Sequence, residues 1–152
     1  MYSKEELKNL KSEFWESFSA FCEVQPLLRG RKKMWMLYDT KVRGVELKFE
    51  VSRKHAAVLI ELNHKNENTR LEMFERLGWY KETIERGFEE NRLTWDLVCT
   101  TDTGKEVSQI YLTKEGIDFH KRADWGEFFR FMADNMYKLE SNFDEIREYL
   151  TE

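Results

Sequence analysis

Residues 45–63 of the 152-residue chain read VELKFEVSRKHAAVLIELN, and this stretch decides the fold. In its first seven residues, apolar and ionisable side chains alternate, which is the period-two pattern of a β-strand with one buried face. Residues 55–63 follow after Arg53 and Lys54, which we predict to form a tight turn. In this second strand Val58, Ile60 and Leu62 share one face, and Ala57, Leu59, Glu61 and Asn63 share the other. The stretch therefore predicts a β-hairpin whose apolar side chains face the core and whose ionisable side chains face water.

The flanking sequence predicts three helices and three more strands. Apolar residues recur every three or four positions in the helical segments and at alternate positions in the extended ones. Ser3 and Glu6 form the S-x-x-E pattern of a capping box at the start of the first helix. The predicted helices are residues 3–24, 67–90 and 124–150, and the other predicted strands are residues 34–38, 93–100 and 106–113.

The order of these elements, α-β-β-β-α-β-β-α, predicts an α+β fold. A mostly antiparallel sheet of about five strands packed on helices buries one face of the sheet and one stripe of each helix. The chain has one proline and seven glycines and shows no linker or repeat, so we predict a single domain over residues 1–152.

The composition predicts a globular, cytoplasmic protein. Apolar residues make up 41% of the chain and the net charge is only −4, which excludes a disordered chain and a generally basic nucleic-acid coat. Cys22 and Cys99 do not form a C-x-x-C pair, which favours free thiols in a reducing compartment. The N-terminus is too polar for a signal peptide, and no apolar run approaches the ~20 residues that span a bilayer, so we expect no membrane contact.

The last predicted helix, residues 124–150, is long for a domain of this size. At 1.5 Å per residue it would extend roughly 40 Å, whereas the radius of gyration expected for the chain is about 15 Å. The helix should therefore either break near Ser141 and Asn142 or project towards a partner. Phe131 and Tyr149 lie off its main apolar stripe, which favours a homodimer formed through this C-terminal helix.

Short motifs along the whole chain match one bacterial family. They are Glu13-Phe14-Trp15, Trp35 to Tyr38, Thr40, Gly44, Arg53-Lys54, Ile60-Glu61-Leu62, His64-Lys65, Trp95, Gly104-Lys105, Ser108, Ile110-Tyr111 and Trp125. In these motifs the sequence resembles domain-of-unknown-function family 4268. The resemblance implies a cytoplasmic bacterial protein, in a family whose domain stands alone or at the C-terminal end of longer proteins, and it implies no established activity.

The polar side of the predicted hairpin offers a candidate metal or catalytic site. Glu50 and Glu61 would meet if the register brings their faces together, and paired carboxylates can hold Mg²⁺. The layout is similar to the restriction-endonuclease-like fold, whose core is αβββαβ and which places an acidic residue on one strand and Glu-x-Lys on the next. Here Asn63 stands at the lysine position and Lys65 lies two residues further on. This departure makes the four residues weak catalytic candidates, and the alternative is a solvated face with cross-strand ion pairs.

Residues 29–54 form a basic segment that could bind nucleic acid. The segment carries nine basic and three acidic residues, and Trp35 and Tyr38 within it could stack on bases. The alternative is a hairpin whose lysines solubilise its edge or neutralise the acidic helices of the same molecule. The candidate binding residues are Trp35, Tyr38, Arg53, Lys54, Glu61, His64 and Lys65.

Other signatures of enzymes are missing from the sequence. His55, His64 and His120 lack zinc spacing, although His64 could pair with Glu61. The chain contains no G-x-S-x-G motif, phosphate-binding loop or G-x-G-x-x-G motif, so we expect no nucleophilic serine and no dinucleotide cofactor. A third hypothesis is a small-molecule pocket between the sheet and the helices, lined by Trp35, Tyr38, Trp79 and Trp95.

We therefore predict a non-catalytic protein-interaction or accessory module without a cofactor. The alternative is a nucleic-acid-binding or degenerate metal-dependent nuclease-like domain, with Mg²⁺ held by Glu50 and Glu61 only under that reading. Salt-sensitive binding to DNA or RNA would favour the alternative.

Overall fold

The computed structural model describes residues 2–25, 40–90 and 92–151. It confirms the α+β class and the predicted order of elements over these residues. Four strands lie in the described ranges rather than about five, and the predicted strand at residues 34–38 lies outside them. In chain order the elements are α1 (Lys4–Glu23), β1 (Val45–Val51), β2 (His55–Leu62), α2 (Glu67–Gly78), α3 (Lys81–Ile84), β3 (Thr94–Thr100), β4 (Glu106–Glu115) and α4 (Trp125–Ile146), with 3₁₀ turns at Arg122–Asp124 and Arg147–Leu150.

The four strands form one sheet in the order β1-β2-β4-β3, and every pairing is antiparallel. The predicted tight turn at Arg53 and Lys54 is confirmed, since the Ser52 amide donates to the His55 carbonyl across it at 2.9 Å. The edge strand β3 pairs with β4 through a bulge between Asp96 and Cys99. β2 and β4 are the central strands, so residues on them are flanked by a neighbouring strand on both sides.

The hydrophobic core lies between one face of the sheet and the helices. α4 crosses β2, α1 packs on α4, and α2 covers the β2–β4 side. At the start of α1 both hydrogen bonds of the predicted capping box are present between Ser3 and Glu6, which anchors the helix that carries Phe14 into the core. The strand side of the core is contributed by Val45, Leu47, Val58, Ile60, Leu62, Ile110 and Leu112.

Neither alternative predicted for the last helix is correct, because α4 runs unbroken through Ser141 and Asn142 and is covered along its length. The Asn142 amide is buried and donates to the carbonyls of Ile84 and Arg86 at 2.9 and 2.8 Å. These bonds satisfy a polar group that would otherwise disfavour burial. Phe131 and the residues of the apolar stripe of α4 are all buried within the domain, so neither is available to a partner.

The predicted helix over residues 67–90 is wrong beyond Gly78. There the chain tightens, with the amides of Trp79 and Tyr80 donating three residues back rather than four, and only the short α3 follows. Glycine is a poor helix former, which gives the break its physical reason.

No helix within the described ranges is both long and apolar enough to cross a lipid bilayer.

Candidate functional site

The predicted meeting of Glu50 and Glu61 is wrong. Glu61 stands opposite Glu46, whereas Glu50 stands opposite Ala57. The tight turn fixes this register, because Val51 must pair with Ala56 and every residue before it follows. The two acidic side chains that β1 and β2 bring together are therefore Glu46 and Glu61.

Glu61 lies at the centre of a polar cluster on the face of the sheet opposite the helices. One of its carboxylate oxygens accepts from Lys48 Nζ at 2.6 Å and from Asn63 Nδ2 at 3.4 Å, and the other accepts from Gln109 Nε2 at 3.1 Å. Asn63 Nδ2 also donates to Glu46 Oε1 at 3.0 Å, so it bridges the two carboxylates. The cluster thus contains the carboxylates of Glu46 and Glu61, the amide of Asn63 and the ammonium group of Lys48.

The expectation that this face of β2 is exposed to water is also wrong. The Glu61 side chain is only 6% exposed, and Ala57 and Leu59 on the same face are buried. A central strand is flanked on both sides, and the longer side chains of β1 and β4 shield its short ones. Sequence alternation identifies the two faces of β2 but not its central place in the sheet.

The cluster is a charged pair rather than a protonated acid. Burial raises the pKa of Glu61, but the hydrogen bonds from Lys48, Gln109 and Asn63 outweigh it and leave the pKa below its usual value. Burial lowers the pKa of Lys48, and its contacts with Glu61 and Glu46 raise the pKa by more. Both groups are therefore ionised at neutral pH.

Lys48 also decides what the cluster can bind. Its ammonium lies 2.6 Å from Glu61 and 3.4 Å from Glu46, so it fills the position between the carboxylates that a divalent cation would need. Over residues 2–25, 40–90 and 92–151, no three His, Cys, Asp or Glu side chains are grouped so that they could hold a metal ion. The arrangement as it stands is a cross-strand ion pair with amide support.

Glu50 belongs to a second polar group, at the β1–β2 turn, that sequence reasoning missed. Its carboxylate lies 3.1 Å from His55 Nε2, and His55 Nδ1 lies 3.1 Å from Ser52 Oγ. The same hydroxyl accepts from the backbone amides of Lys54 and His55 at 3.1 and 3.0 Å. Because these bonds occupy the lone pairs of Ser52, the group stabilises the turn instead of activating a nucleophile.

The described basic residues of segment 29–54 are spread along the whole length of β1, with Lys48 in the middle of the strand. Arg53 lies at the hairpin turn and pairs with Asp118 at 3.4 Å. Lys41 and Arg43 are exposed at the other end of β1, about 20 Å away for a seven-residue strand. Trp35 and Tyr38, predicted to stack on bases, lie outside the described residues.

The two described tryptophans of the predicted pocket, Trp79 and Trp95, do not form it together. Trp95 is half-buried, donates to Glu85 Oε2 at 2.8 Å and packs on Phe74. Trp79 is 67% exposed, at the end of α2. It lies at the surface and does not line a cavity.

His64 is packed closely against Gly44. A Cβ built on Gly44 would lie 2.4 Å from the His64 ring, and Gly44 has a φ of +78°. The ring is hydrogen-bonded to the backbone of Arg43, while its buried Nδ1 has no partner. Glu61, the partner considered for His64 from the sequence, is hydrogen-bonded to Lys48, Gln109 and Asn63 instead.

Arg70, in the second turn of α2, is buried beside His64, and it too was missed from the sequence. Its residue is 3% exposed, Nε donates to Ser108 Oγ and Nη1 donates to the Glu106 carbonyl, both at 3.1 Å. Nη2 is buried without a partner. The available signal was positional, because Arg70 precedes the buried Met73 and Leu77 by three and seven residues on one helix face. Lys65, by contrast, is exposed beyond the polar cluster.

His64 should make stability depend on pH. Burial, together with the charge of Arg70, lowers its pKa below 6.5 despite the hydrogen bond to Arg43. As the pH falls below about 6.5, His64 is protonated in the unfolded chain before it is protonated in the folded chain. The contribution of neutral His64 to the free energy of unfolding is therefore complete above about pH 6.5 and is lost as the pH falls through the pKa of the folded state. Urea unfolding at a series of pH values should show this decline, and H64Q should flatten it. An unchanged pH profile in H64Q would contradict the assignment to His64.

Comparison with known proteins identifies the family and nothing more specific. The family model described as Domain of unknown function (DUF4268) matches residues 10–147, which extend from within α1 to just past the end of α4. No curated protein and no solved structure matches the chain. The match confirms the resemblance seen in the motifs, and the chain belongs to the DUF4268 family.

Proposed function

We propose that this domain is a non-catalytic interaction module that binds a second copy of itself. The observation that carries the proposal is a group of aromatic side chains, the exposed Trp79 and Tyr149 and the half-buried Tyr80, which we call the aromatic patch. The Tyr80 and Tyr149 rings stack at 5.9 Å, and Trp79 precedes Tyr80 in the chain. Trp79 is 67% and Tyr149 51% exposed.

Exposed tryptophan and tyrosine are unusual on a domain with a well-filled core. Such residues contribute more binding energy at protein interfaces than other types, since they offer a large rigid surface with a polar edge. The backbone at Tyr149 is anchored to α2, because the Arg76 guanidinium donates to the Tyr149 carbonyl at 2.5 Å. A fixed aromatic surface costs little entropy when it binds.

A second copy of the chain suits the charges around the patch. The exposed residues beside Trp79 and Tyr149 carry both signs, with Lys81 and Glu82 on one side and Glu148 on the other. A two-fold interface needs a self-complementary surface, which a mixture of charges can supply. This proposal keeps the homodimer at the C-terminal end of the chain but moves the contact from the stripe of α4 to the turn that follows it.

The polar cluster supports the non-catalytic part of the proposal. The Glu61 carboxylate accepts three hydrogen bonds and is neutralised by Lys48. A carboxylate held in this way is neither a free base nor a free metal ligand. The half-buried thiols of Cys22 and Cys99 are not joined in a disulfide, which fits the proposed cytoplasmic setting.

Sedimentation velocity and light scattering over a range of concentrations test the proposal. The native chain should dimerise as concentration rises, and W79S should weaken the dimer at least about tenfold, as expected for loss of an interface hot spot. L97S is the matched control, since Leu97 is an exposed apolar residue on β3 and does not belong to the patch. A native chain that stays monomeric throughout, or equal weakening by L97S, would contradict the proposal.

An alternative function, a degenerate nuclease-like or nucleic-acid-binding domain, is favoured by one observation. Glu46 and Glu61 face each other on neighbouring strands, with Lys48 and Asn63 beside them, which is the kind of acidic and basic grouping that this reading requires. Mg²⁺- or Mn²⁺-dependent cleavage that is lost in E61A would establish it. The absence of any gel shift at low salt would count against it.

A further inference from the structure

Arg70 is a buried cation, and no carboxylate of residues 2–25, 40–90 or 92–151 forms an ion pair with it. Its hydrogen bonds go to a serine hydroxyl and a backbone carbonyl, and the Ser108 hydroxyl donates onward to the Leu97 carbonyl at 2.5 Å. Burial of an arginine without a counter-ion is costly, because the guanidinium gives up its hydration and receives only neutral acceptors in return. Nη2 of Arg70 has no hydrogen-bond partner, so the donors of the guanidinium group are not all used.

A second buried polar atom lies at the same end of the sheet. Leu62 pairs with Ser108, so His64 and Glu106 follow at the ends of β2 and β4, where Arg70 also lies. The buried Nδ1 of His64 has no partner, and the charge of Arg70 acts on the ring. The rest of the ring is partly exposed, so this end of the sheet is in contact with solvent.

The exposed side chains around this end of the sheet carry charges of both signs. Arg43 precedes β1 and Lys65 follows His64, and both are exposed. The acidic groups on the adjoining elements are Glu67, in the first turn of α2, and Glu106, at the start of β4, and both are exposed. The twelve-residue α2 begins here, so the positive end of its dipole lies at the same place.

We infer that Arg70 and His64 form a binding site for a phosphate-type oxyanion at the N-terminal end of α2. Arg70 Nη2 donates to one anion oxygen, and protonated His64 donates through Nδ1 to another. Both nitrogens are buried in the structure, so an anion reaches them only when the surrounding side chains rearrange. Arg70 lies about 14 Å along α2 from Trp79, so the site does not depend on the proposed dimer.

Calorimetric titration of the full chain with sulfate and with inorganic phosphate, at matched ionic strength in chloride, tests the inference. Saturable binding is expected for both, with at least about a tenfold loss of affinity in R70Q, which removes a charge-assisted hydrogen bond. R53Q is the matched control, because it removes the same charge at the far end of the hairpin and should bind normally. Sulfate does not change its charge between about pH 6 and pH 8, so tighter sulfate binding at the lower pH, lost in H64Q, would report protonation of His64.

Several results would overturn the inference. Equal binding by R70Q and the native chain would show a non-specific anion effect, and binding of acetate as tight as that of sulfate would exclude a phosphate-type site. If R70Q does not fold, R70K serves in its place, because it retains the charge but lacks the planar fork, and it should also bind more weakly. Native-like binding by both R70K and H64Q would refute the proposed contacts.

Discussion

Replacing Phe14 with alanine is expected to lower the free energy of unfolding by about 3–5 kcal/mol. Phe14 is fully buried, and its ring lies between α1 and α4. The neighbouring rings would lose their central contact and could not collapse fully into the space, which is the origin of the cavity cost. The rings within 5.1 to 6.2 Å of it, centroid to centroid, are Trp15, Phe119, Trp125, Phe128 and Phe129.

Urea unfolding followed by circular dichroism measures this loss, and melting should fall by about 10 °C for a domain of this size. Phe14→Leu is the control, since leucine fills most of the space and should cost clearly less. A loss below about 1 kcal/mol in Phe14→Ala would show that α1 is not held to α4 through this ring.

Gly44→Ala is expected to cost about 2 kcal/mol or more, although it adds only one methyl group. The residue has a φ of +78°, where any Cβ is strained, and its Cβ would lie 2.4 Å from the His64 ring. The ring cannot withdraw freely, because it is hydrogen-bonded to the Arg43 backbone. The cost therefore has two parts, one from the backbone and one from the ring.

Gly116→Ala separates the two parts. Gly116 has a φ of +82° but nothing within 4 Å of its Cβ position, so only the backbone part, about 1 kcal/mol, should appear. Removing the ring in the double variant Gly44→Ala/His64→Ala should recover part of the loss, as a double-mutant cycle would show. Equal costs at Gly44 and Gly116 would mean that the ring moves aside without penalty.

The elements with a clear period were predictable from the sequence. Alternation at residues 45–51 and the turn at Arg53 and Lys54 identify the hairpin, and Ser3 with Glu6 marks the start of α1. Such signals are local, since each depends on residues within one turn of helix or one pair of strands.

The candidate site was less predictable because its contacts are distant in sequence. Register, not composition, places Glu46 rather than Glu50 against Glu61, and the donor Gln109 reaches Glu61 from 48 positions away. In the sequence, Arg70 cannot be distinguished from an exposed polar helix residue, because its hydrogen-bond partner Ser108 lies on β4, 38 positions away. No local pattern reports which polar side chain will be surrounded by a second strand.

The two hydrogen bonds from Asn142 have a consequence for the order of folding. α3 has four residues, too few to persist as an isolated helix, and the chain around it is held through the carbonyls of Ile84 and Arg86. Asn142 lies near the far end of α4, so residues 81–86 can settle only after most of that helix has formed against the sheet. Backbone amides of α3 should therefore gain protection late in refolding, together with the end of α4 and after its beginning.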